Sequence, residues 1–190
     1  MIVSLSGAHG SGKSTIAQML AGKLAWPRYY IGGLRREAAQ KRGITLAEYN
    51  KLGEIDIKTD QEVDEYQKKL GETEDNFIIE GRTSWYFIPQ SFKIYLDVSP
   101  EEGAKRIFNS LQRENNRNNE DKELVSLEAV LTSMKNRLAS DRKRYHQYYN
   151  IDVNDVNHYD FYLDTSNLTP EQVFLILYKE IKIKLDNKKN

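Results

Sequence analysis

Short runs of β-branched and aromatic residues alternate along this chain with longer stretches in which apolar side chains recur every three or four positions. That alternation predicts a parallel sheet whose strands are joined by crossover helices, an α/β fold. The strand-like runs cover residues 2–6, 29–31, 76–80, 92–98 and 160–164, the second ending at Gly32-Gly33. Helical patterns fill the intervals. Residues 13–25 carry Ile16, Met19, Leu20 and Leu24 on one stripe, and residues 34–41 form a second helix. Thr45, with Glu48 three positions on, predicts a capping box at the head of the next. Another runs from Thr59 or Asp60 to Leu70. Ser99-Pro100-Glu101-Glu102 opens a helix bearing Ala104, Ile107 and Leu111, with proline in the first turn and acids facing the dipole. A long helix spans residues 127–149, and Thr169-Pro170-Glu171 opens the last. Residues 114–121, polar and rich in asparagine, read as a mobile loop, and residues 182–190 as a frayed, solvated tail.

The 190 residues suffice for one domain with a hydrophobic core, and no linker divides them. Lys plus Arg balances Asp plus Glu at 28 each, so no global basic field points to a nucleic-acid or membrane partner. The absence of cysteine excludes disulfides, zinc–thiolate sites and thiol nucleophiles. The start lacks the pattern of a signal peptide, and no apolar run approaches the roughly 20 residues of a membrane span. A cytoplasmic, monomeric protein is the expectation.

Gly7-Ala8-His9-Gly10-Ser11-Gly12-Lys13-Ser14, followed by Thr15, fits G-x-x-x-x-G-K-[ST] between a hydrophobic strand and an amphipathic helix, the context the motif requires. Glycines let the backbone curl so that N–H groups point at phosphate oxygens, and the helix adds the positive end of its dipole. The pattern assigns ATP phosphates to Gly7, Gly10, Ser11, Gly12, Lys13, Ser14 and Thr15. Lys13 would reach the β- and γ-phosphates and the Ser14 hydroxyl would ligate Mg2+. His9 occupies an unconstrained position and reads as loop filler.

A GTPase would need N-K-x-D, and Asn50-Lys51-Leu52-Gly53 lacks the aspartate. A motor or AAA+ ATPase normally needs more chain, whereas a kinase of small metabolites needs a phosphate loop, an acceptor-holding arm and a lid. Arg82 follows a strand at its carboxyl end, where open α/β sheets place ligands. Arg137, Asp141 and Arg144 stand at i, i+4 and i+7 on one helical face, a phosphate-binding set or an ion-paired surface. Asp60, Asp64 and Gln67 share another face, read as facing water, the alternative being that Gln67 reads an edge of the acceptor.

Phe77-Ile78-Ile79-Glu80-Gly81-Arg82, then Trp85-Tyr86-Phe87-Ile88-Pro89 and Phe92-Lys93-Ile94-Tyr95-Leu96, resembles the E-G-R…F-P…K-I-x-L stretch of cytidylate kinases. Residues 43–52, the acidic helix at 56–70, and Arg142-Lys143-Arg144-Tyr145 through Tyr149-Asn150-Ile151-Asp152 are similar to the archaeal-type members, in order along nearly the whole chain. The resemblance implies a three-layer P-loop NTPase fold of the nucleoside-monophosphate-kinase kind. Its five-stranded parallel sheet would have the order 2-3-1-4-5, with an acceptor arm at about 33–71 and a lid at about 109–145, all within one domain, 1–190. It implies transfer of the γ-phosphate of ATP to CMP or dCMP with Mg2+. Arg137 and Arg144 would lie on phosphates, Asp141 on sugar or an arginine, and Arg82 and Arg36 on the acceptor phosphate, with Arg35 the adjacent competitor of Arg36. Arg106 and Arg113 would fold over ATP, and Ser166 and Asn167 would contact adenine. Glu80 resembles an acidic position of related kinases, or pairs with Arg82 or a backbone donor. Tyr30-Ile31-Gly32-Gly33 replaces the family's Ser/Thr-x-Gly-Asp turn, which keeps open a kinase of another nucleotide or metabolite. A regulatory P-loop ATPase is the other alternative.

Overall fold

The structure, a computed structural model, describes residues 1–113 and 124–187, the Arg113 side chain excepted. The loop read at 114–121, the Arg113 guanidinium and that part of the expected lid lie outside the described residues. Five strands, β1 (Val3–Gly7), β2 (Arg28–Tyr30), β3 (Ile78–Glu80), β4 (Phe92–Asp97) and β5 (Phe161–Asp164), form one parallel sheet in the order β2-β3-β1-β4-β5. This is the order implied by the resemblance. The helices are α1 (Lys13–Leu24), α2 (Ile31–Lys41), α3 (Leu46–Gly53), α4 (Lys58–Thr73), α5 (Ser84–Phe87), α6 (Pro100–Arg113), α7 (Leu127–Tyr149) and α8 (Pro170–Asn187). Among the described residues no helix is long and apolar enough to cross a membrane.

Both faces of the sheet are covered, which is why its central strands read as continuous apolar runs. Val3, Leu5, Ile78, Ile94 and Leu96 pack with Ile16 and Leu20 of α1 and with Val173, Leu177 and Ile181 of α8. On the other side Ile2, Phe77 and Ile79 pack with Ile31, Leu70 and Ile88. Alternation along β3 thus sends Ile78 one way and Ile79 the other.

Two expectations fail for local reasons. Residues 182–187 are not a frayed tail. The stripe Val173, Leu177, Ile181 continues to Leu185, which packs against the same core and carries α8 on to Asn187. Nor do Gly32-Gly33 end a strand, because β2 stops at Tyr30 and both glycines lie in the first turn of α2. The Tyr30 ring lies over them, so close that a Cβ on Gly33 would sit 2.7 Å from it. The expected capping box at Thr45 is present, with Thr45 Oγ1 accepting from Glu48 N and Glu48 returning a carboxylate to Thr45 N. The helix α5 is too short to show a period in sequence.

Candidate active site

A single cleft runs across the carboxyl ends of β1 and β3, bounded by the glycine-rich loop on one side and by α2, α3, α4 and α7 on the other. Gly7, Gly10 and Gly12 all have positive φ (140°, 78° and 86°). Space as well as backbone excludes other residues at the first two. A Cβ on Gly7 would stand 2.0 Å from the Leu96 carbonyl oxygen, and one on Gly10 would stand 2.3 Å from that of Gly103 in α6. Gly12 is the N-cap of α1, so the positive end of the helix dipole opens on the cleft. Lys13, Ser14 and Thr15 line it. Lys13 Nζ donates to the carbonyls of Ala8 at 2.6 Å and Gly7 at 3.0 Å. Ser11 is buried, and its carbonyl lies 3.3 Å from Thr165 Oγ1.

The opposite wall is a chain of alternating charges drawn from distant parts of the sequence. Arg35 of α2 pairs with Asp60 of α4 and donates to Asn50 Oδ1 of α3 at 3.1 Å. Arg144 of α7 donates from Nη1 to both Asp60 carboxylate oxygens at 2.7 Å, and from Nη2 to Asp141 Oδ1 at 2.5 Å. Asp141 Oδ2 in turn lies 2.5 Å from Nε of Arg82, whose Nη2 reaches the His9 ring at 2.7 Å. The phosphate loop and the arm are therefore joined through five charged side chains. Burial pulls the Asp141 carboxyl upward. Arg82, Arg144, Arg137 and Arg35 outweigh it, so Asp141 titrates below the usual range.

The expected site residues divide accordingly. Arg82, Arg137, Asp141 and Arg36 line the cleft together with Lys13, and so does Arg35. Arg36 donates to Tyr30 Oη, with its guanidinium 5.7 Å from the Tyr30 ring centre. Arg144 does not itself line the cleft. It has no exposed surface and is held behind Asp60 and Asp141. Arg106 does not project over the cleft. It is pinned to Glu102 and to the carbonyls of Thr165 and Ser166 (2.7 and 3.2 Å), which places it with the loop after β5, beside the buried backbone of Ser11. Glu80 pairs with Arg28 on the neighbouring strand instead of with Arg82.

Asp60, Asp64 and Gln67, read as facing water, are buried, and the two aspartates face the cleft. The missed signal was a polar i, i+4, i+7 face bordered by Val63 and Leu70, which no solvent-facing helix needs. Burial pushes Asp64 up to about 6 against the opposing hydrogen bond from Tyr149. His9, read as filler, contacts Arg82, and no sequence feature announces it.

A wall of guanidiniums facing a phosphate loop is suited to two phosphorylated molecules end to end. The chain is 34% identical over 175 residues to a cytidylate kinase from Natronomonas pharaonis, with 91% of this chain and 85% of that one aligned. It is 33% identical over 178 residues to a cytidylate kinase from Pyrococcus abyssi, with 93% and 91% aligned. The solved shikimate kinase of Bacteroides thetaiotaomicron shares the fold at a TM-score of 0.60 and 14% identity, covering 98% of each chain. The profile of the cytidylate kinase-like family matches residues 2–167, taking in the loop, the arm and α7, and the chain belongs to that family.

Proposed function

We propose that the protein transfers the γ-phosphate of ATP to a nucleoside monophosphate, CMP or dCMP, releasing ADP and the diphosphate. One observation carries this reading: a single cleft joins Lys13, Ser14 and Thr15 to Arg35, Arg36, Arg82 and Arg137. Two polyanions meeting in one site repel each other, and fixed guanidiniums both relieve that repulsion and stabilise charge spread over the transferring oxygens. The acceptor phosphate is its own nucleophile and needs no general base. Arg82, which ends the charged chain at the loop, and Arg137, which lines the same cleft, act on the transferring and acceptor phosphates. Arg35 and Arg36 hold the acceptor from the arm. Arg144, enclosed, is a positioning residue that fixes Asp60 and Asp141.

The donor set suits magnesium. Ser14 lines the cleft, and two of the carboxylates that share it are taken up by arginines, Glu80 by Arg28 and Asp141 by Arg82. Ser14 and phosphate oxygens would be the ligands, the usual arrangement for an ion that keeps its waters. Magnesium would supply charge neutralisation and a fixed phosphate geometry. The pinned Arg106, with Ser166 and Asn167 in the loop after β5, marks the adenine side.

A coupled ADP-release assay across CMP, dCMP, UMP, AMP and GMP tests the assignment, with CMP or dCMP turned over fastest. Turnover of other acceptors with none of either cytidine nucleotide removes the acceptor. ATP hydrolysis indifferent to any acceptor removes the kinase reading itself.

A further inference from the structure

The arm wall contains one carboxylate of a different kind. Asp64 lies one turn beyond Asp60 on α4 and lines the same cleft as Leu46, Val63 and Thr83. Asp60 and Asp141 face guanidiniums, whereas the hydrogen bonds of Asp64 come from uncharged donors. Tyr149 Oη donates to Oδ2, and Gln67 Nε2 lies 3.3 Å from Oδ1. Gln67 is fixed in its turn, because Ser84 Oγ donates to its Oε1 at 2.7 Å and so directs the amide nitrogen toward Asp64. Gln67 itself has no exposed surface and does not reach the cleft. Any base edge entering there meets Asp64.

An ionised carboxylate only accepts hydrogen bonds, and its two oxygens offer about four lone-pair sites. Two are used by Tyr149 and Gln67, and the rest are available to a ligand. We propose that Asp64 reads the base of the acceptor nucleotide by accepting from an exocyclic amino group, and so selects cytosine against uracil. The assignment rests on the monophosphate-kinase reading above. Cytosine presents an N4 amino donor where uracil presents the O4 acceptor. Oxygen set against oxygen leaves two buried acceptors unsatisfied, which is the costly outcome for uracil. Leu46 and Val63, which line the same cleft, offer the apolar surface that a planar base needs.

The same geometry gives the preference a dependence on pH. The groups around Asp64 are Asp60 and Lys68 from α4, Arg35 from α2 and Tyr149 from α7. Burial raises Asp64 to about 6. Once protonated, it has an O–H that can donate to O4 of uracil, and the discrimination weakens. CMP and UMP carry the same phosphate, so its own titration cancels in their ratio, and what remains belongs to the base site.

The test is the ratio of kcat/KM for CMP to that for UMP, from about pH 5 to about pH 8, in the natural protein, Asp64→Asn and Tyr149→Phe. The natural protein should lose preference for CMP as pH falls through about 6. Asp64→Asn presents both a donor and an acceptor, so it should lower the ratio about tenfold or more, retain UMP turnover and flatten the pH dependence. Tyr149→Phe removes a bond that favours the ionised form, and should move the transition to higher pH. A ratio that is flat with pH in the natural protein and unchanged by Asp64→Asn overturns the assignment. If Asp64→Asn does not fold, the pH series on the natural protein decides alone. Failure of the natural protein to turn over either CMP or UMP removes the pyrimidine acceptor, and this inference with it.

Discussion

The glycine-rich loop and the arm wall face each other across one cleft, yet the first is made by eight consecutive residues while the second gathers side chains from α2, α3, α4, α7 and the segment after β3. The loop depends on backbone geometry. Its positive φ angles and the approach of Leu96 and Gly103 leave no room for a Cβ at Gly7 or Gly10. The wall depends on charge. Its carboxylates and guanidiniums are buried in alternation, and each is tolerable only because its neighbour is present. Damage to the loop should therefore appear as lost chemistry, and damage to the wall as lost stability.

The largest effect expected is on turnover. Lys13→Ala should reduce kcat by roughly a hundredfold to a thousandfold with little change in Tm. Undiminished turnover would break the contrast at its first half. Next, Asp60→Ala leaves Arg144, which has no exposed surface, and the mostly buried Arg35 without a shared partner. We expect about 3–5 kcal/mol of destabilisation in urea unfolding, with activity lost as the wall opens. A cost under about 1 kcal/mol, typical of an exposed pair, would show that the wall is not held by charge.

A finer contrast lies within the wall. Asp141 titrates below its ordinary value in the fold, so its contribution is present above the unfolded pKa and is lost as pH falls through the lower folded one. Asp64 is raised, so its contribution has the opposite sign. The fold favours its protonated form, and stability declines as pH rises through about 6. The Tm of Asp64→Asn relative to the natural protein should therefore rise between about pH 5 and about pH 8. A constant difference across that range would place Asp64 in an ordinary solvated environment.

The smallest effect expected is at Arg106, whose bonds to Thr165 and Ser166 tie α6 to the loop after β5. Arg106→Ala should raise the KM for ATP by a few-fold, on the order of one lost charged hydrogen bond, and leave the KM of the acceptor unchanged. A larger change on the acceptor side would mean that Arg106 serves the arm.

What could be read directly along the chain follows this division. The loop, the capping box at Thr45, the five strands and the long α7 each have a signal within a few residues, because period, glycine spacing and capping are local matters. Arg35, Asn50, Asp60 and Asp64 have none of comparable strength. An arginine on α2 looks the same in sequence whether it faces water or Asp60, which is 25 positions away. The water-facing reading of Asp60, Asp64 and Gln67 failed because polarity was taken as exposure, when each polar group had a buried partner elsewhere in the chain.

The amino-acid sequence by itself determined the parallel α/β architecture, the phosphate loop and the set of arginines available to a second anion. Short-range sterics and periodicity suffice for the first two, and composition for the third. Only the tertiary structure decided which arginines reach the cleft and which, like Arg144, stand behind it. It also set Asp64 apart from Asp60, since burial and the identity of a carboxylate's neighbours depend on helices meeting across α3, α4 and α7.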